Sequence, residues 1–331
     1  MTFLKQHRTK ITIISTGLLC LALGYFIGGN SPSKHHPHRQ QWEEERSYNE
    51  KLQFISPLLE CNGGQTVELK SFKSDIEKLA NTLKAKSEIT DLSVYFREMN
   101  NGLWFGINEN IEFSPASLLK FPLMIAYLKE AEKNPKILDD TLTYTENENL
   151  YDKQNFKPEI TLEVGTQYTV KDLVGRMIVH SDNSAQALLM KNATYFWQRP
   201  FAELEINPPG TESVEDYMSV VEYARFFRVL YNASYINPQY SNLALGILSE
   251  SKFKEGLAKG VPSDIAVAHK FGERTIDNVK QLHDCGIVYH PDNPYLLCIM
   301  TRGKDFNQLT NAIQQISQKI YTGVDSQKIK K

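Results

Sequence analysis

Three short stretches carry residue types that could do chemistry together. In "FSPASLLKFP", Ser117 stands three residues before Lys120, a spacing that puts both on one face of a helix. A neutral amine there could take the serine proton, provided burial lowers the lysine pKa. Ser-x-x-Lys alone decides nothing, because it recurs at Ser31/Lys34, Ser249/Lys252 and Ser251/Lys254. Ser117 differs in its setting: it follows Pro115 and opens the apolar run "LLKFPLMIAYL". It therefore falls in the first turn of a buried helix, where the dipole and unsatisfied backbone N–H groups favour an anion. In the second stretch, "VHSDNSAQALL", Ser181, Asp182 and Asn183 interrupt an apolar helical segment. The tripeptide reads equally as a helix cap or as a proton-relaying hydroxyl beside an amide that holds a substrate carbonyl. The third, "AHKFGER", sets Lys270 and Gly272 on a strand. A strand lysine is ordinarily just solvated, and a glycine weakens a strand unless another backbone or a ligand must come close.

The elements that must position these residues are legible in outline. Helical spacing runs from Val67 to about Lys86, with Leu69, Phe72, Ile76, Leu79 and Leu83 as its apolar stripe. β-Branched and aromatic residues then flank Asn101-Gly102, a strong hairpin signal. A helical middle follows from Ser117 to about Glu250, broken by a polar loop around "TENENLYDKQNFKPE". Three strand-like runs, "DIAVAHKFGER", "KQLHDCGIVYH" and "PYLLCIMTRG", come next, with "HPDNP" as the turn between the last two, and the amphipathic helix "FNQLTNAIQQISQKIY" closes the chain. Strands at both ends with helices between them imply one discontinuous α/β (α+β) domain, a sheet built from N- and C-terminal pieces between helical layers.

The 331 residues have ordinary globular composition and a formal charge of -2, with no basic stripe interleaved with aromatics, so nucleic acid is set aside as a partner. Residues 11–29, "ITIISTGLLCLALGYFIGG", are uncharged and about long enough to span a bilayer. Lys5, Arg8 and Lys10 precede them, which orients residues 1–10 to the cytoplasm and the rest outside. A retained transmembrane anchor is favoured over a cleaved signal peptide, since no convincing cleavage site follows. Residues 30–52 read as a polar spacer, and its His35, His36 and His38 as solvated linker residues. The domain proper is expected over 53–325, with 326–331 as a tail. Cys20 lies in the anchor, leaving Cys61, Cys285 and Cys298 for an oxidising compartment; a Cys61–Cys285 disulfide is expected, with Cys298 a packed core thiol. No Gly-rich phosphate loop, His-Glu-x-x-His or paired Cys-x-x-Cys occurs, so no cofactor and no metal is expected. The chain is taken as a monomer.

Ser-x-x-Lys at a helix start, then Ser-Asp-Asn, then Lys-x-Gly on a late strand is the motif set of the active-site serine penicillin-recognising enzymes. "SPASLLKFPLMIAYL" and "HSDNSAQALLM" resemble the class A β-lactamase branch, over roughly Phe54 to Thr322. The resemblance implies a β-lactamase/transpeptidase-like fold with an antiparallel five-stranded sheet flanked by helices. It implies Ser117 as the acylated nucleophile, Lys120 as its general base and Ser181 as the relay to the leaving amine. Asn183 would bind the substrate amide, Lys270 would supply positive potential for a carboxylate, and the backbone N–H groups of Ser117 and Glu273, beside Gly272, would form the oxyanion hole. A β-lactam or a cell-wall peptide would be the substrate.

Two departures stand out. Phe271 occupies the place of the family's usual hydroxyl residue between Lys and Gly. Glu203 and Asn207 in "FAELEINPPG" match the family's deacylating Glu-x-x-Leu-Asn pattern in mutual spacing, but only 20 residues separate Asn183 from Glu203. "RPFAELEI" therefore reads as the preceding helix, ended by Pro208-Pro209-Gly210, with the loop nearly lost and no base assigned to the deacylating water. A slow D,D-peptidase-like enzyme and a non-catalytic cell-wall binding or sensor module stay open beside a β-lactamase.

Overall fold

The computed structural model describes residues 53–55, 67–86, 89–145, 150–151, 154–210 and 215–326. The segments expected as anchor and spacer, with Cys20 and Cys61, lie outside them. Helix α1 (Val67–Ala85) buries Leu69, Phe72, Ile76 and Leu83 along the expected stripe. Strands β1 (Asp91–Glu98) and β2 (Trp104–Ile107) form the hairpin. Its loop has four residues rather than two: Glu98 N bonds Leu103 O, and Gly102 takes the left-handed φ of 71° that a longer loop needs at its end.

A 3₁₀ turn (Ala116–Leu119) leads into α2 (Lys120–Ala131), almost wholly buried as its apolar run requires. Two three-residue strands, β3 (Thr141–Thr143) and β4 (Gln167–Thr169), pair antiparallel inside the expected helical middle; they are too short to show a period of two. Then come α3 (Val170–Val179), capped by Thr169, and α4 (Asn183–Asn192), capped by Asp182. The short α5 (Arg199–Glu203) precedes α6 (Val220–Tyr231), which opens on a Ser219/Glu222 capping box. Helix α7 (Pro238–Ser249) starts on Asn237 with proline at its first position.

Strands β5 (Val267–Ile276), β6 (Val279–Val288) and β7 (Tyr295–Gly303) complete the sheet, and α8 (Phe306–Ser326) ends the described chain. Asp277 and Asn278, both at positive φ, make the two-residue turn between β5 and β6. The sheet order is β2-β1-β7-β6-β5, antiparallel throughout. Alternate residues of β7 serve two cores: Leu296, Cys298 and Met300 pack under the inserted helices, while Tyr295, Leu297 and Ile299 pack under α1 and α8. The five-stranded sheet between helical layers is the expected α/β architecture.

The disulfide differs from expectation. Cys285 is bonded to Cys298, not to Cys61. The two are directly opposite on β6 and β7, and cross-strand neighbours bring their Cβ atoms into bonding range. A spacing read along one strand does not reveal which residue lies opposite on the next.

Candidate active site

Ser117 lies in the 3₁₀ turn just before α2 rather than in the first turn of that helix as its sequence suggests, and the fold fixes it there from three sides. Ser114 N donates to Gln281 Oε1 at 3.1 Å, and Tyr223 Oη donates to Leu118 O at 3.0 Å. His283 Nε2 lies 2.9 Å from Ser114 O. Thr301 N donates to His283 Nδ1 at 3.3 Å, so Nε2 carries the proton given to Ser114. Burial pushes the His283 pKa down to about 4, which keeps that neutral tautomer. Ala116, immediately before Ser117, sits at φ 49°, a left-handed conformation that a side chain adopts at a cost.

Gly272 answers the question its strand position raised. A Cβ there would lie 2.8 Å from Pro115 O and 3.0 Å from Leu118 N. What comes close is the backbone of the Ser117 turn itself, seated against the outer edge of β5.

The other motif residues meet at this turn. Lys120 Nζ lies 2.9 Å from Ser117 Oγ, 2.7 Å from Ser181 O, 3.1 Å from Ser181 Oγ and 2.7 Å from Asn183 Oδ1. Ser181 O and Asn183 Oδ1 can only accept. A neutral amine satisfies both with its two N–H bonds and keeps its lone pair for the Ser117 hydroxyl. Lys120 is fully buried, and burial lowers its pKa to about 7 against the opposing attraction of Asp182 and Glu273. Lys270, also fully buried, donates to Ser181 Oγ at 2.9 Å and Phe271 O at 2.8 Å. Burial, then the neighbouring Lys120 charge, push its pKa well below the ordinary lysine value. Ser181 reaches between the two lysines from a left-handed φ of 54°.

Both readings of Ser-Asp-Asn hold at once. Asp182 Oδ1 accepts from Ser184 N and Ala185 N as the α4 cap, and the serine and asparagine on either side of it face Lys120. The remaining Ser-x-x-Lys pairs among the described residues end in exposed Lys252 and Lys254.

The polar loop after β3 gives residues that sequence reading missed. Gln154 Nε2 donates to Ser181 O at 3.1 Å, and Phe156 N donates to Glu273 Oε1 at 2.8 Å. The Phe156 ring packs edge-on against Phe253 and Phe271. The only sequence signal for this is a phenylalanine in a stretch whose other large apolar or aromatic residues are Leu150 and Tyr151. Gln281 and His283 did carry a signal, two polar residues on one face of a strand buried on both sides.

A cleft of about 440 Å³ opens beside the turn, lined by Ser117, Asn183, Gln186, Tyr217, Glu273 and Arg274 among others. Glu203 is not there. It ends α5 exposed, accepting from Tyr235 Oη at 2.5 Å, with Arg199 Nε 3.9 Å away. Arg199 in turn pairs with Glu130 in the last turn of α2. Helix α2 separates that turn from Lys120 by about 15 Å at 1.5 Å per residue. Only Arg199–Glu203 of "RPFAELEI" is helical, because Glu205 turns to a left-handed φ of 55° well before Pro208; Phe201 is buried within the short helix and Ile206 beyond it. Among the described residues no group of three or more His, Cys, Asp or Glu is placed to hold a metal ion.

The arrangement suits transfer of an acyl group to a serine, and comparison with known proteins agrees with it. A model of the family described as "Beta-lactamase enzyme family" matches residues 71–324. PBP-A, solved as a single-residue mutant in acyl-enzyme complex with penicillin G, is 20% identical with a TM-score of 0.64, over 78% of this chain and 97% of that one. A β-lactamase from Chitinophaga pinensis is 19% identical, TM-score 0.64, over 76% and 99%. A variant of the last common ancestor of Gram-negative bacteria class A β-lactamase is 22% identical, TM-score 0.64, over 76% and 98%. These likenesses establish the shared fold. No curated protein matches the chain. With most of its described residues inside the family model, the chain belongs to the β-lactamase enzyme family, serine hydrolases that act on amide bonds.

Proposed function

We propose that the protein is a membrane-anchored, extracytoplasmic serine hydrolase that cleaves a β-lactam or related amide through an acyl-Ser117 intermediate. Lys120 takes the Ser117 proton as Oγ bonds the carbonyl carbon. The backbone N–H groups of Ser117 and Glu273 hold the developing oxyanion, Asn183 holds the substrate amide, and Ser181 hands a proton to the departing nitrogen as the C–N bond breaks. Lys270 orients the Ser181 hydroxyl. Water then cleaves the ester and returns Ser117. One observation carries this reading: a buried Lys120 amine whose two acceptor-only neighbours leave its lone pair to the Ser117 hydroxyl.

The exposed position of Glu203 favours slow deacylation, closer to a D,D-peptidase than to a rapid β-lactamase. Residues 11–29 support the anchor. Among the described residues no helix is long and apolar enough to cross a membrane. The Cys285–Cys298 disulfide supports an oxidising, extracytoplasmic location. The test is intact-mass spectrometry of the full chain with penicillin G and with an activated thioester, beside Ser117→Ala. A covalent acyl adduct on the native chain alone is expected with at least one probe. No adduct with either would overturn the reading.

A further inference from the structure

We infer that Gln154 is a positioning residue for Lys120: its amide occupies part of the Ser181 carbonyl and so helps to keep the buried amine in the neutral form that acylation needs. The inference rests on the serine hydrolase reading and names what tunes the base of that site. Gln154 belongs to no helix or strand, yet it is buried and its amide can face only one way. Nε2 lies 3.1 Å from Ser181 O and 3.5 Å from Phe156 O. Both are carbonyls that only accept, so the nitrogen must face them. Oε1 is then left buried with no hydrogen-bond partner, an arrangement that costs stability. What holds the amide there lies two residues on: Phe156 N donates to Glu273 Oε1 at 2.8 Å, and its ring packs on Phe253, Phe271 and Phe306.

Ser181 O is the shared atom. Lys120 Nζ reaches it at 2.7 Å and Gln154 Nε2 at 3.1 Å. A charged donor gains about twice as much from a carbonyl as a neutral one does. An undivided Ser181 O would therefore favour the ammonium form of Lys120 over the amine. The second donor competes for that oxygen and turns the positive end of an amide dipole toward the same place, which disfavours a cation. Other groups facing Lys120 act in both directions. Asp182, ahead of α4, and Glu273, on β5, attract the ammonium, and burial opposes it. Lys270, also on β5, shares Ser181 Oγ with Lys120 and repels a second charge. Gln154 adds to the side of the neutral amine without adding a charge.

The test follows first-turnover adduct formation on the full chain by intact mass, over a pH series, with penicillin G and with the benzoylglycyl thioester of methyl mercaptoacetate. Ser117→Ala supplies the background. Gln154→Met keeps an unbranched side chain of similar length and removes the donor; Gln154→Glu keeps the shape and puts an acceptor in its place. Each should move the midpoint of the acylation profile to higher pH. The shift should be about half a unit or more for Gln154→Met, and more than about one unit for Gln154→Glu, whose carboxylate also attracts the Lys120 ammonium. Half a unit reads as an about threefold slower reaction on the acid side, while the rates converge on the alkaline plateau. A loss of folded chain lowers the amplitude and leaves the midpoint where it was, so a purely structural role does not imitate the shift. A smaller shift in either variant, or a variant folded by circular dichroism yet slow on the plateau, overturns the inference and leaves the hydrolase reading standing. No Ser117-dependent adduct on the native chain with either probe overturns both.

Discussion

The two ends of α2 are built on opposite principles. At its start, Lys120 is fully buried, with Ser181 O and Asn183 Oδ1 in reach of its N–H bonds and Ser117 Oγ beside its lone pair. At its end, Glu130 and Glu132 pair with Arg199 and Lys129, while Glu203 and Tyr235 join them at the surface. Partly exposed surface ion pairs of the second kind contribute about 0–1 kcal/mol each. A buried amine of the first kind is costly and persists only where its neighbours satisfy it. The groups proposed for serine acylation thus sit in the part of the molecule that tolerates least change. The glutamate that sequence spacing offers for deacylation sits in the part that tolerates most.

Five measurements would break or sharpen that contrast. Ser117→Ala should lower adduct formation by about four powers of ten or more, read by intact mass; appreciable acylation without it would remove the buried end from the chemistry. Lys120→Ala should slow acylation by about 10²–10⁴. The native pH profile tests the same group: with its pKa lowered to about 7 by burial, the neutral amine is the working form. The acylation rate should therefore level off above pH 7 and fall about tenfold for each unit below it. A profile still rising past pH 9 would mean that Lys120 keeps an ordinary lysine pKa.

Replacing Cys285 and Cys298 together by serine should destabilise the fold by about 3 kcal/mol, from the closed loop alone, in denaturant unfolding. The bonded pair is buried in the sheet row next to Lys270. Glu203→Gln should change the deacylation rate by less than about twofold, because an exposed group outside the cleft shifts energies by about 0.5 kcal/mol or less. A large fall would place Glu203 in the chemistry after all and erase the contrast.

How much was legible follows from how local each signal is. The α1 stripe, the Asn101-Gly102 hairpin and the apolar start of α2 are written in consecutive residues, and the structure follows them. Ser117, Lys120, Ser181, Asn183 and Lys270 could be nominated because each has a local motif, and Gly272 because a glycine inside a strand asks for a reason. The clamp on Ser114 from Gln281 and His283 spans more than 160 residues; their polarity in an apolar strand marks the two residues, but no local pattern says that Ser114 is their partner. The Gln154 and Phe156 contacts come from a loop without periodicity. The Cys285–Cys298 bond depends on register between strands, and β3 and β4 are too brief for alternation to register. Helix α8 also runs on to Ser326, beyond the expected amphipathic segment, because Val324 still packs in the core.

The sheet's order carries one more consequence, for how the molecule is made. Strand β1 emerges early in synthesis, yet its partner is β7: Asp91 pairs with Arg302, 211 residues later. Until then β1 presents a bare edge open to wrong pairing, and such distant contacts slow folding. Ser117, Lys120 and Ser181 are all synthesised before the strand that bears Lys270. The growing chain therefore carries its proposed nucleophile long before it can assemble the surroundings proposed to activate it, and a chain cut short before β7 would have those residues without the site they form.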